Sequence, residues 1–182
     1  MRKLSMEELG RKSVADFKLA AKKPIVLVLD NIRSMHNVGS VFRTSDAFLI
    51  SGICLCGFTP QPPHRDIHKT ALGATESVDW MYYENTLEAV AALQKQGYKV
   101  YAIEQAKGSI SLEKFQIQKN QKYALVFGNE VNGIDQQVVN HCDGSIEIPQ
   151  IGTKHDYFGR CSTGLKIPVQ HIPGHLVKVE SC

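Results

Sequence analysis

An unbroken apolar run, Ile25-Val26-Leu27-Val28-Leu29, opens into a polar stretch that carries Asn37, Gly39 and Arg43. The design recurs further along, where Tyr123-Ala124-Leu125-Val126-Phe127 runs into Gly128-Asn129-Glu130-Val131-Asn132-Gly133. Strands that are apolar at nearly every position are buried on both faces, as in parallel sheets covered by helices. Two such strands, each ending in a polar, glycine-bearing turn, point to an α/β fold. Ligands in open sheets of that class sit at the carboxyl ends of the strands.

The rest of the chain agrees with that class. Strand signals run over Pro24–Asp30, Gly52–Phe58, Val78–Tyr83, Tyr98–Ile103, Tyr123–Phe127 and Ser145–Ile148. Helical spacing predicts Val38–Leu49, with Val41, Phe42 and Ser45 on one face, a short helix over His64–Leu72, and another over Ile134–Asn140. Thr86–Gln96 is the best-defined helix: Leu87, Val90, Ala91 and Leu93 share a face, Asn85 caps it and Gly97 follows it. Thr59-Pro60-Gln61-Pro62-Pro63 is a rigid loop. The expected architecture is a mostly parallel sheet with helices on both faces. There is no internal repeat and no separate substrate domain.

A length of 182 residues suits one domain with a sizeable core. No apolar run approaches the ~18 residues of a membrane span, and residues 1–23 lack a signal-peptide core, so the expected location is cytoplasmic, with no membrane partner. The net charge of +3 does not by itself call for nucleic acid. Residues 1–24 hold seven Lys/Arg against three acids. This basic arm reads either as a phosphate contact or as a solvated amphipathic helix with Leu4, Leu9, Val14 and Phe17 facing the body. Five cysteines in no C-x-x-C pair read as buried free thiols, and no ligand spacing suggests a metal.

The first turn offers backbone donors at a helix start, where an anion binds, and Gly39 would allow close backbone approach. Arg43, one turn beyond Gly39, is placed to point back toward the strand ends. It reads as a phosphate clamp, as a group that helps deprotonate a ribose hydroxyl, or as an ordinary surface arginine. His36 could serve as a general base but reads as a loop residue. In the second turn, Glu130 reads either as part of a ligand-binding turn or as the cap of the helix over Ile134–Asn140. The G-x-G-x-x-G dinucleotide fingerprint is absent. Of the aromatics Trp80, Tyr82 and Tyr83, strand alternation assigns Trp80 and Tyr82 to packing.

Together these segments resemble the SpoU (TrmH-like) RNA 2′-O-ribose methyltransferases of the knotted SPOUT superfamily. Asn37, Gly39, Arg43 and Thr44 match its first motif, and Gly128, Glu130 and Gly133 its second. Lys69-Thr70-Ala71-Leu72-Gly73-Ala74 resembles the run between them. Ile146-Glu147-Ile148-Pro149-Gln150-Ile151-Gly152 fits the entry to the third. The resemblance implies S-adenosylmethionine as cofactor and tRNA or rRNA as substrate, in a homodimer. It implies catalytic roles for Arg43, Asn37 and Glu130, cofactor contacts from Gly128, Asn129, Gly133, Ile148, Pro149 and Gly152, and RNA contacts from Arg33, His36 and Lys69.

The third motif then breaks off. The family continues with Ser-Leu-Asn-Val-Ser-Val-Ala and an apolar helix that threads the knot. This chain reads Asp156-Tyr157-Phe158-Gly159-Arg160-Cys161, and Pro168, Pro173 and Gly174 argue against a helix beyond it. A one-base shift in the coding sequence over Tyr157–Cys161 can yield Ile-Ser-Val-Ala-Val, so a frame change and a divergent C-terminus both account for the break. The expected organisation is a basic helical arm over 1–23, a SPOUT-like domain over 24–155, and an atypical tail over 156–182 with the knot incomplete. The leading expectation is an RNA 2′-O-methyltransferase. The alternatives are a catalytically impaired RNA-binding or assembly module on the same fold, and a small-molecule α/β enzyme.

Overall fold

The computed structural model describes residues 2–5 and 8–149. The expectations for Gly152, the knot and the tail lie outside the described residues.

Seven strands form one sheet in which every ladder is parallel. They are β1 (Lys23–Asp30), β2 (Ile50–Cys56), β3 (Trp80–Tyr83), β4 (Tyr98–Ile103), β5 (Ile110–Ser111), β6 (Lys122–Phe127) and β7 (Gly144–Glu147), in the order β3-β2-β1-β6-β4-β7-β5. The helices are α1 (Val14–Leu19), α2 (Met35–Ala47), α3 (Arg65–Ala71), α4 (Ala74–Ser77), α5 (Thr86–Lys95) and α6 (Gln136–His141).

Alternation along β1 shows why its sequence is apolar throughout. Ile25, Leu27 and Leu29 enter one core with Val38, Val41 and Phe42 of α2 and Ile67 of α3. Val26 and Val28 enter a second core with Ala89, Val90 and Leu93 of α5 and Val138 of α6. Helices thus cover both faces, as expected. Leu27, Val28, Leu29 and Phe42 are fully buried.

The chain winds outward from β1 through β2 to β3, then returns to place β6 against the other side of β1. The direction of winding therefore reverses between β1 and β6. The carboxyl ends of β1 and β6 flank that switch point, the usual ligand position in such sheets.

Several boundaries differ from the sequence expectation, each for a local reason. The helix expected over Val38–Leu49 begins earlier, at Met35, because the Ser34 side chain accepts from the Asn37 N–H at 3.2 Å and caps it. It ends at Ala47, and Leu49 takes a left-handed conformation at φ 54°. The strand predicted from Gly52 starts two residues sooner, at Ile50, and the strand predicted from Val78 starts at Trp80. The helix predicted from Ile134 starts at Gln136, where Asp135 accepts from the Gln137 N–H at 2.7 Å. That cap removes one of the two readings of Glu130. The four-residue α4 and two-residue β5 lie in stretches read as loop.

The arm also departs from expectation. Its helix covers only Val14–Leu19, and Leu4, Leu9 and Val14 are exposed while Phe17 alone is buried. Leu4 and Leu9 lie outside the helix, so they cannot form a stripe with Val14 and Phe17.

Candidate functional site

The ends of β1 and β6 are locked together by buried polar groups. Asp30, the last residue of β1, is 2% exposed. Its carboxylate accepts from the Thr86 hydroxyl at 2.6 Å, the Asn31 side-chain amide at 2.9 Å and the Asp135 N–H at 3.3 Å. Asn31, at φ 55°, accepts from the Phe58 N–H at 3.2 Å and offers its carbonyl to the Asn129 side-chain amide at 2.7 Å. The other end of the Asn129 amide accepts from the N–H groups of Val131 (2.9 Å) and Asn132 (3.1 Å). Asn129 and Gly133 exchange two backbone hydrogen bonds of 2.9 Å, which closes the loop.

This closed loop presents Glu130 to the start of α2. Its carboxylate accepts from the backbone N–H groups of Arg33 and Ser34, each at 3.0 Å, and from the Asn37 side-chain amide at 2.9 Å. Residues 93 to 97 positions apart in sequence thereby form one cluster. Partial burial disfavours the charge on Glu130. The amides of Arg33, Ser34 and its own residue, with Asn37, outweigh that cost and hold the carboxyl below its ordinary value. A carboxylate beside the free N–H groups of a helix start is also favoured by the helix dipole.

The glycines of the second turn are needed for the fold itself. A Cβ on Gly128 would overlap the backbone of Gly133 and Ile134. Gly133 has φ +69°, and a Cβ there would meet the Glu104 carboxylate. Glu104 follows β4 and accepts from the N–H groups of Gln105 (3.0 Å) and Ile134 (3.1 Å). Gly39 likewise approaches protein rather than an anion, because a Cβ there would strike the Thr70 hydroxyl and the Ile67 carbonyl of α3. Thr70 also donates to the His36 carbonyl at 3.0 Å, so the run around Lys69–Ala74 packs α3 onto α2.

Arg43 does not join the Glu130 cluster, contrary to the expectation that it points to the strand ends. It lies six residues beyond Asn37, about 9 Å along the helix axis. It shares the Gly39 face, which is turned to α3. Arg43 is exposed and makes no hydrogen bond or ion pair among the described residues. It lines a hollow of about 650 Å³ with Arg11 and Lys12 of the arm and Asp46, Ala71 and Glu76. Asp46 accepts from the Ser77 hydroxyl.

The other candidate residues are dispersed. Arg33 and His36 are exposed beside the cluster. Lys69 is exposed and pairs with Asp66 at 2.7 Å. Ile148 is half-buried and packs against the first core half, and Pro149 is exposed. Trp80 packs as expected, but Tyr82 is 43% exposed and donates its hydroxyl to the Gly57 carbonyl at 3.0 Å. Cys54 and Cys56 are buried free thiols, and Cys142 is a half-buried one. Burial pushes the Cys54 and Cys142 thiols up to about 12. No group of metal-binding side chains occurs among the described residues.

Asp30, Asn31, Thr86 and Glu104 were not singled out by sequence reasoning. Asp30-Asn31 at the end of an apolar run was the available signal. Thr86, 56 positions away, gave none.

The SpoU rRNA Methylase family model matches residues 24–155. The chain belongs to that family. Among curated relatives, the 23S rRNA (guanosine-2′-O-)-methyltransferase RlmB of Xanthomonas axonopodis pv. citri is 25% identical over 148 residues, covering 81% of this chain and 58% of the relative. RlmB of Vibrio parahaemolyticus is 27% identical over 147 residues, again 81% and 58%. The chain thus spans 58% of the length of these relatives. The fold matches that of the A. aeolicus TrmH/SpoU tRNA modifying enzyme, with TM-score 0.71 at 19% identity, over 84% of this chain and 77% of that one. It also matches an AdoMet-bound rRNA methyltransferase from Sinorhizobium meliloti, with TM-score 0.70 at 24% identity, over 79% and 54%. This family chain therefore has the SPOUT type of α/β sheet.

The described residues fit one wall of a site for S-adenosylmethionine. Strands β6, β4 and β7 are neighbours, so their carboxyl ends bring the Gly128–Gly133 turn, Glu104 and Ile148-Pro149 to one edge. Apolar surface from Ile148 and Pro149 suits an adenine face, and backbone amide and carbonyl groups of the turn suit its edge.

Proposed function

We propose that this chain is an S-adenosylmethionine-dependent RNA 2′-O-ribose methyltransferase acting on rRNA or tRNA. The observation that carries the proposal is the Glu130 cluster. It joins the two family motifs at the carboxyl ends of β1 and β6, with Asn37 and Glu130 in direct contact. Family membership over 24–155 and relatives named as 23S rRNA 2′-O-methyltransferases support the same reading.

The cofactor supplies an electrophilic methyl group. Glu130 and Asn37 fix the start of α2 against the cofactor turn. Arg43, exposed and without an ion pair among the described residues, supplies a cation for a phosphate or for the developing oxyanion of the ribose hydroxyl. Catalysis would then come chiefly from these residues holding the ribose hydroxyl beside the cofactor site, with the hydroxyl proton released to solvent. The proposal includes a homodimer and a cytoplasmic location. The free thiols support a reducing compartment.

The test is transfer of labelled methyl from S-adenosylmethionine to total RNA by the purified chain, followed by mapping of the modified ribose. Absence of label with cofactor bound would reject the activity. One sequence feature favours a second reading, an RNA-binding or assembly module without transfer. Residues 156–161 replace the Ser-Leu-Asn-Val-Ser run of the third motif. A chain that binds RNA but not S-adenosylmethionine would establish that reading.

A further inference from the structure

A second hollow, of about 480 Å³, adjoins the one that holds Arg43. Glu76 lines both, so the short helix α4 is their common wall. Trp80, the single tryptophan of the chain, lines this second hollow. It is half-buried and packs against the first core half, which fixes the indole while leaving part of it in the hollow. Pro63, exposed, adds apolar surface. Exposed His64, Arg65 and His68 line it as well, against one acid, Glu76. Arg65 and His68 make no side-chain hydrogen bond or ion pair among the described residues. The His64 Nδ1 accepts from the Asp66 N–H at 3.1 Å, so its Nε2 is left to donate outward.

An anchored aromatic surface with uncommitted guanidinium and imidazole donors at its edge is the chemistry that holds an unpaired nucleobase and its phosphate. The ring stacks, the cations take the backbone, and no base identity is required. The volume is within the range of small-ligand sites. Its place across α4 from the Arg43 hollow, with Glu76 lining both, favours RNA as the occupant. We propose that the Trp80 hollow takes an unpaired base of the substrate RNA close to the nucleotide whose ribose meets Arg43. Substrate recognition would then extend over α4 and favour a single-stranded or unstacked segment beside the methylation target. This inference rests on the proposed function.

The experiment uses the full chain and a short single-stranded oligoribonucleotide with a fluorescent end label. Anisotropy of the label reports binding, and emission of Trp80 reports the hollow. Stacking predicts that Trp80 emission is quenched in step with the anisotropy rise. It also predicts that Arg65→Ala and His68→Ala each weaken binding several-fold, and together on the order of tenfold. Both residues are exposed, so these variants should fold, and circular dichroism checks that they do. Arg43→Ala should keep the quenching while losing methyl transfer. RNA binding without quenching, at parental affinity in both variants, would overturn the inference and leave the proposed function standing. Quenching by a free mononucleotide with no gain for the oligonucleotide would also overturn it. No anisotropy change at all would also overturn it, while transfer to total RNA still decides the proposed function.

Discussion

Glu130→Gln is the most informative single change. In the parent, the carboxylate accepts three hydrogen bonds of 2.9 to 3.0 Å, two from backbone amides and one from Asn37. Hydrogen bonds to a charged acceptor each contribute about 1.5–3 kcal/mol. Glutamine keeps the shape and one accepting oxygen but loses the charge and turns a donor toward the helix start. Arg33 and Ser34 donate to different oxygens, so the glutamine can serve only one side. Water reaches this half-buried group and replaces part of the loss. The expected cost is therefore about 2 kcal/mol, at the level of one charged hydrogen bond. For a chain of this size that lowers the melting temperature by roughly 4–8 °C.

The pH dependence supplies a check with a definite sign. The folded Glu130 carboxyl is held below its ordinary value of 4.5. At a pH between the folded and unfolded values, the unfolded chain binds more protons, so stability rises with pH there. The contribution is complete above the unfolded value and is lost as pH falls through the folded one. Parent and Glu130→Gln should thus differ most at neutral pH and converge in acid. Urea titrations at neutral pH and below pH 4.5 measure this directly. A stability gap that persists unchanged into acid would show that the charge on Glu130 does not hold the helix start. Equal stability at neutral pH would refute the hydrogen-bond argument itself. Asn37→Ala should couple with Glu130→Gln in a double-mutant cycle, since the two side chains share one bond.

Arg43→Ala should reduce methyl transfer by about 10²-fold or more while S-adenosylmethionine binds as in the parent, because the arginine is uncommitted and lies away from the cofactor turn; calorimetry and a transfer assay separate the two effects, and parental turnover would remove Arg43 from the mechanism. Gly39→Ala forces a methyl against the Thr70 hydroxyl and the Ile67 carbonyl. It should destabilise the fold by roughly 1–3 kcal/mol in thermal unfolding, and a neutral result would mean that α3 moves freely on α2. Gly128→Val should lower stability as well as cofactor affinity, because its side chain meets the backbone of Gly133 and Ile134. Loss of binding at parental stability would instead place the added bulk in the cofactor pocket alone.

The core strands and both turns were legible because their signals are local. An apolar run such as Ile25–Leu29 can satisfy its side chains only between two helical layers, and the structure divides it between two cores. Boundaries were less legible where capping outweighed periodicity, as at Ser34 and Asp135. Gly39 allows the close approach expected of it, but its partner was not legible, because a glycine at a helix start has the same sequence appearance whether it meets an anion or another helix. The Asp30–Thr86 pair and the Glu104–Ile134 contact could not be read at all. They depend on which strand ends become neighbours, and that order is set by the return of β6 beside β1.

That topology also separates positioning from chemistry within the site. A carboxylate has about four acceptor positions, and Glu130 uses three of them on Arg33, Ser34 and Asn37 at the start of α2. Those bonds hold its carboxyl below the ordinary range, which makes it a weak base at neutral pH. Removing a proton from a ribose hydroxyl would require it to release α2 and to accept a proton that its surroundings disfavour. Bonded in this way, Glu130 holds the start of the helix that carries Asn37 and Arg43. Arg43 differs in kind: it is exposed, makes no ion pair among the described residues, and shares its hollow with the cations Arg11 and Lys12 and the acids Asp46 and Glu76, so positive charge is in slight excess there. Neighbouring positive charge without a bound anion raises the electrostatic gain from a phosphate or an alkoxide entering that hollow. On the proposed function, the cluster at the strand ends is already satisfied before RNA arrives, while the hollow beside α2 keeps an uncommitted arginine for the substrate's negative charge.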